Sequence, residues 1–144
     1  ALEKKAGKPH GRKVTLAWNA DDVAKVWRSM LEGGEHYKYI DLPLSNYTSA
    51  SYDRLTHQGK TVGLNMFSGY SYNERSMLSL AIVDPDIQLG NEVKLLWGEE
   101  GGGSRKTTVE RHKQMEIRAV VSPAPYAKQA RTSYAEGWRS KVTA

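Results

Sequence analysis

At 144 residues the chain is long enough for one substantial hydrophobic core and too short for two. Its 21 lysines and arginines outweigh 16 aspartates and glutamates, giving a formal charge of +5, and 39% of its residues are hydrophobic, which excludes a disordered polyelectrolyte. It contains no cysteine, which excludes disulfides and thiol catalysis, and no run of about 18 apolar residues, so a soluble, cytoplasmic protein with no membrane partner is expected.

Residues 1–12 form a polar, basic lead-in or interdomain linker, and the alanine at position 1 raises the expectation that 13–144 is a single domain excised from a larger enzyme. KVTLAWN (13–19) alternates apolar and polar residues and reads as a half-buried strand. Asn19 is placed to cap a helix over 20–33, with Asp21 and Asp22 favourable in its first turn and Val23, Val26, Trp27, Met30 and Leu31 spaced as its buried stripe. Residues 35–55, broken by Pro43, read as an irregular connection that becomes a strand near Tyr52. HQGK (57–60) is a turn. The strand over 60–69 is crossed by Gly63, where a bulge or a close backbone approach is expected.

The apolar segment 75–86 ends in the turn DPD, and LGN leads into a partner strand over 92–100. GGGSRK is a hairpin tip, 109–126 is strand-like up to its prolines, and 126–139 reads as a short terminal helix. Together these elements predict a mainly β fold: a closed antiparallel barrel of about six strands, one packed amphipathic helix and a short C-terminal helix.

No complete active site is legible. The histidines at 10, 36, 57 and 112 are scattered without ligand spacing and read as surface residues, so no metal is expected. GEEGGGSRKT lacks a glycine directly before Lys106 and lies between strands, which excludes a Walker-type phosphate loop. Asp84 and Asp86 flank Pro85 as turn residues, and no serine sits in a nucleophile elbow. The four tryptophans occupy mostly core positions. Tyr37, Tyr39, Tyr47, Tyr52, Tyr70 and Tyr72 fall mainly in connections, which suits either a surface facing another domain or a ligand, or plain edge packing.

The stretch FSGYSYNERSMLSLAIVDPDIQLGNEVKLLWG (67–98), with Ser68-Gly69, the strand 78–83 and the hairpin 90–96, resembles the C-terminal domain of the glycine cleavage T-protein superfamily, with MEIRAVVSPAPY as its closing element. KVTLAWNADDV, the segment 95–126 and the YAEGWR tail look closer to tetrahydrofolate-dependent aryl-methyl-ether demethylases of the vanillate and syringate type. Tyr70-Ser71-Tyr72 departs from the T-protein, which more often has a proline there.

The resemblance implies that catalysis and most tetrahydrofolate binding belong to an N-terminal domain, and that this barrel covers the folate channel. Ser68, Tyr70, Ser71, Tyr72 and Asn73 would then form an interdomain surface. It also implies that an aromatic residue in the tail reaches toward substrate. Tyr134 and Arg131, with Tyr126 before them, are the candidates, a guanidinium beside a phenol suiting a carboxylate. The alternative is that both are solvated helix residues. Two rival functions stand beside this one: a small basic barrel binding single-stranded nucleic acid, disfavoured because cations and aromatics share no strand face, and a free-standing protein-interaction module.

Overall fold

The computed structural model of the chain describes residues 11–40, 53–99, 101–102 and 110–127. The elements follow in the order β1 (Arg12–Trp18), α1 (Ala20–Met30), β2 (Asp53–His57), β3 (Lys60–Ser71), β4 (Ser76–Val83), β5 (Glu92–Trp97) and β6 (Met115–Ser122). The strands close into an antiparallel barrel, β1-β4-β3-β2-β5-β6, with β6 pairing back onto β1. The expected barrel with one packed helix is therefore present. The short helix expected over 126–139 falls, beyond residue 127, outside the described residues. Among the described residues no helix is long and apolar enough to cross a membrane.

Two-residue periodicity builds the core. Val14, Leu16 and Trp18 of β1, Val93, Leu95 and Trp97 of β5, and Met115, Ile117, Ala119 and Val121 of β6 all point inward and are buried. Trp18 and Trp97 meet edge to face with ring centroids 5.6 Å apart. Each indole N–H is satisfied, Trp18 donating to Ser79 Oγ and Trp97 to the carbonyl of Lys38, both at 2.8 Å.

The expected irregularity in β3 lies beside Gly63. Leu55 faces Gly63 while Thr56 faces Thr61, which leaves Val62 as the extra residue, and a second shift between Asn65 and Phe67 leaves Met66 extra. Gly63 itself makes a close approach: a Cβ there would lie 2.2 Å from the carbonyl oxygen of Ile82.

Several boundaries differ from expectation. β3 continues to Ser71, so Tyr70 and Ser71 belong to a strand rather than a connection. β5 stops at Trp97, where Gly98 takes φ 117°. β6 begins only at Met115, because the preceding residues are engaged with the segment after the helix, through a parallel bridge between Tyr37 and Lys113.

Asn19 caps α1 as expected, its side chain accepting the Asp22 N–H at 3.0 Å. The buried face of the helix is rotated from the expected one. Val26 is fully buried, Val23, Trp27 and Met30 are partly buried, and Leu31 is 86% exposed at the C-cap. The cause is Asp22, whose Oδ2 accepts the Arg118 backbone N–H at 2.8 Å and its Nε–H at 2.9 Å, while Oδ1 accepts from Nη2 at 2.9 Å. Asn19 N–H donates back to the Arg118 carbonyl. This latch draws the Asp22–Val26–Ser29 edge onto the barrel and turns Leu31 outward.

The latch has a pH dependence of definite sign. The side-chain hydrogen bond from Arg118 holds the Asp22 carboxyl below its ordinary value, against the opposing effect of burial. Its contribution is complete above the unfolded carboxyl value of about 3.9 and is lost as pH falls through the lower folded value. Urea unfolding at pH values from about 2 to 7 is expected to show the stability gap between wild type and Asp22→Asn closing on acidification below about pH 4. A gap that is constant with pH would show that the carboxylate charge contributes nothing.

Candidate functional site

Strand directions place the features of interest. β1 ends, and β4 and β6 begin, at the end of the barrel that carries the β3–β4 turn and the start of α1. The five residues expected on an interdomain surface all lie toward this end, but they divide. Ser68 and Tyr70 are on the inward side of β3: Ser68 Oγ accepts from Asn65 Nδ2 at 3.1 Å, and Tyr70 is half-buried against the core. Ser71 is on the outward side. Tyr72 and Asn73 occupy the exposed turn, where Tyr72 is 67% exposed beneath the Arg75 guanidinium, 4.4 Å from the ring centroid. Tyr70, Trp18, Val23, Met77 and Arg75 line an apolar cleft of about 230 Å³ between the hairpin and α1.

β6 carries the chain away from that end before it reaches the cis Ala124–Pro125 bond and the half-buried Tyr126. Tyr126 is thus separated by strand direction from the hairpin group. Arg131 and Tyr134 lie outside the described residues, as do Tyr47, Tyr52, His10 and Trp138.

A buried polar cluster with no signal in the sequence closes the same end of the barrel. Lys38 is fully buried, its ammonium 3.0 Å from Glu99 Oε1 and 4.9 Å from the Trp97 ring centroid. His112 is also buried, which corrects the expectation of a surface histidine. Its Nε2 accepts the Glu99 backbone N–H and its Nδ1–H donates to the Glu110 carbonyl, both at 2.8 Å, so these partners select the Nδ1–H tautomer. Glu110 Oε1 in turn accepts the Tyr39 N–H at 2.9 Å. The cluster staples residues 36–40 to the approach of β6.

A second polar group lies inside the barrel wall. Asn65, which is buried, donates to Asp53 Oδ2 at 3.0 Å as well as to Ser68, while its own Oδ1 has no partner. Among the described residues no group of three or more His, Cys, Asp or Glu could hold a metal. A cleft of about 660 Å³ runs along the outer side of α1 and is lined by Asp21, Lys25, Arg28, Glu32, Glu35 and Lys113 among others. Its charged walls do not suit a flat pterin ring, which needs an apolar slot with a few directed polar groups, and the apolar cleft is smaller than sites for such ligands usually are. Neither of these two clefts by itself suits a pterin ring.

No protein-family model matches the chain. Over 142 residues, 98% of its length, it is 48% identical to the syringate O-demethylase of a Sphingobium species. The chain resembles a syringate O-demethylase. It is also 31% identical over 137 residues to the sesamin methylene transferase of a Sinomonas species. It spans only 31% and 28% of these relatives' lengths, so what it matches is part of a larger O-demethylase-like protein. The aryl-ether demethylase resemblance read from KVTLAWNADDV and the segment 95–126 agrees with the first of these relatives.

Proposed function

We infer that this chain is one domain of an enzyme that removes a one-carbon group from an aryl ether and passes it to tetrahydrofolate, in the manner of the T-protein superfamily. The catalytic residues and most of the folate site belong to a larger preceding domain. The barrel packs on that domain and covers the folate channel. The observation that carries this reading is the 48% identity along nearly the whole chain combined with coverage of less than a third of the relative. Both relatives' names describe the movement of a single carbon, a methyl removed from oxygen in one and a methylene transferred in the other.

The barrel's own contribution to binding is assigned to the tail after Pro125-Tyr126. Arg131 and Tyr134, three residues apart, fall on one face of a helix if the tail takes that form, and pair a guanidinium with a phenol for a carboxylate of the folate or of an aryl acid.

The test uses tetrahydrofolate and syringate with two proteins, the full-length product of the reading frame that carries this chain and the 144-residue chain alone. Turnover is expected from the first and none from the second. In the full-length enzyme, Arg131→Ala and Tyr134→Phe are expected to raise KM for folate or aryl acid with unchanged thermal stability. Turnover by the short chain would overturn the division of labour, and unchanged kinetics in both variants would remove the tail from the site.

A further inference from the structure

The outside of the barrel is divided by polarity. The outward positions are Glu92, Lys94 and Leu96 on β5, Glu116, Arg118 and Val120 on β6, and Arg54 and Thr56 on β2, a largely charged and solvated surface. β4 is the reverse. Its inward positions include the small residues Ser79 and Ala81, whereas its outward positions after Ser76 are Leu78, Leu80 and Ile82. Register sets Phe67 of β3 beside Leu80 and Leu64 beside Ile82, while on the β1 side Ala17 lies beside Leu78, Thr15 beside Leu80 and Lys13 beside Ile82, so the apolar surface is centred on β3 and β4 and bordered by a cation. Phe67 is 61% exposed, Leu64 46% and Ile82 41%.

A strand that is apolar on both faces is the pattern of a strand covered on both faces. A contiguous exposed apolar patch of this kind marks an interaction surface. The barrel is closed among its six strands, so there is no free edge for strand addition and a partner must dock face to face.

We propose that the outer β3–β4 face is the seat of the polypeptide that precedes this domain in the full-length protein, an assignment that rests on reading the chain as one domain of an O-demethylase-like enzyme. Two observations select this occupant. Nearly all of this chain matches only 31% of its demethylase relative, so most of such a protein is available to cover the patch. The chain also enters β1 at the rim of the patch: Arg12 pairs with Val83, and Gly11 passes so close to Ile82 that a Cβ would lie 2.3 Å from its Cγ2. Gly11 itself therefore lies beside Ile82, at the edge of the apolar face. The complementary surface is apolar, and the charged β5–β6 face is left to solvent.

Single cysteines report this directly, since these 144 residues contain none of their own. In the full-length protein Phe67→Cys, Ile82→Cys and, as a reference on the charged face, Glu116→Cys are alkylated and read peptide by peptide by mass spectrometry. Positions 67 and 82 are expected to react at least ~tenfold more slowly than 116 in the native protein and equally in denaturant. Carbene footprinting of the unsubstituted protein reads the same side chains if a variant fails to fold. Equal native reactivity, or equal footprinting, at all three positions overturns the proposal while leaving the larger-enzyme reading intact. Protection that disappears on dilution assigns the face to a second copy and also overturns it. A reading frame with no further domain overturns the larger-enzyme reading and this proposal with it.

Discussion

Trp97→Ala is expected to lower the unfolding free energy by roughly 3–5 kcal/mol, the usual cost of deleting a large aromatic from a packed core. Trp97 is 1% exposed and is the side chain on which several elements converge. It packs edge to face on Trp18 of β1, lies under the Lys38 ammonium, and donates its indole N–H to the Lys38 carbonyl. Truncation would open a cavity where β5 meets the closed end of the barrel and leave that carbonyl short of its donor, adding to the packing loss. Urea unfolding followed by the fluorescence of the remaining tryptophans measures the change. Trp97→Phe restores part of the ring but not the N–H and is expected to fall between the two. A loss below about 1 kcal/mol for the alanine variant would mean that this end of the barrel collapses around the gap or is not packed as described.

The second large effect is expected from a substitution that adds a single methyl group. Gly63→Ala should cost about 3 kcal/mol, at the upper end of ordinary overpacking penalties, because the new Cβ would meet backbone rather than a movable side chain. It would lie 2.2 Å from the Ile82 carbonyl oxygen and 2.9 Å from the Val83 Cα, so the β3–β4 ladder would have to separate where it supports the barrel wall. Gly33→Ala is the control, since nothing lies within 4 Å of a Cβ at that exposed position. It is expected to change stability by no more than about 0.5 kcal/mol. Equal small effects at the two glycines would show that β3 and β4 are further apart at Gly63 than the register implies.

Both expectations bear on function through placement. The Trp97 end of the barrel carries the β3–β4 hairpin, the apolar cleft beside α1 and the Lys38–Glu99–His112 anchor. Gly63 stands opposite Val83 on the pair of strands whose outer faces form the apolar patch. Under the function proposed above, a barrel weakened at either position would present both surfaces less well to the preceding domain.

The amino-acid sequence by itself determined the parts of this protein that depend on neighbouring residues. Alternation in β1 and β5, the Asn19 cap and the glycine approach in β3 are signals contained within a few residues, and strand and helix periodicity reads them directly. The hydroxyl and aromatic character of 68–73 was equally legible, although not that Ser68 and Tyr70 turn inward while Tyr72 and Asn73 stand in the turn. That division depends on the extra residue at Met66, because a one-residue shift exchanges the two faces of a strand.

Tertiary structure alone decided what depends on closure of the barrel. Asp22 reaches Arg118 across 96 residues and Lys38 reaches Glu99 across 61, and no local pattern distinguishes these charges from solvated ones. For the same reason His112 looked like a surface residue, and Leu31 looked like part of a buried stripe until the Asp22 latch set the rotation of α1. The nearly continuous apolar run of β4 was visible in the sequence, but a run has no inside or outside. Only closure with β1 and β3 assigned Met77, Ala81 and Val83 to the core and left Leu78, Leu80 and Ile82 on the outer face, because the side of a strand that meets the core is set by its neighbours and not by its own residues.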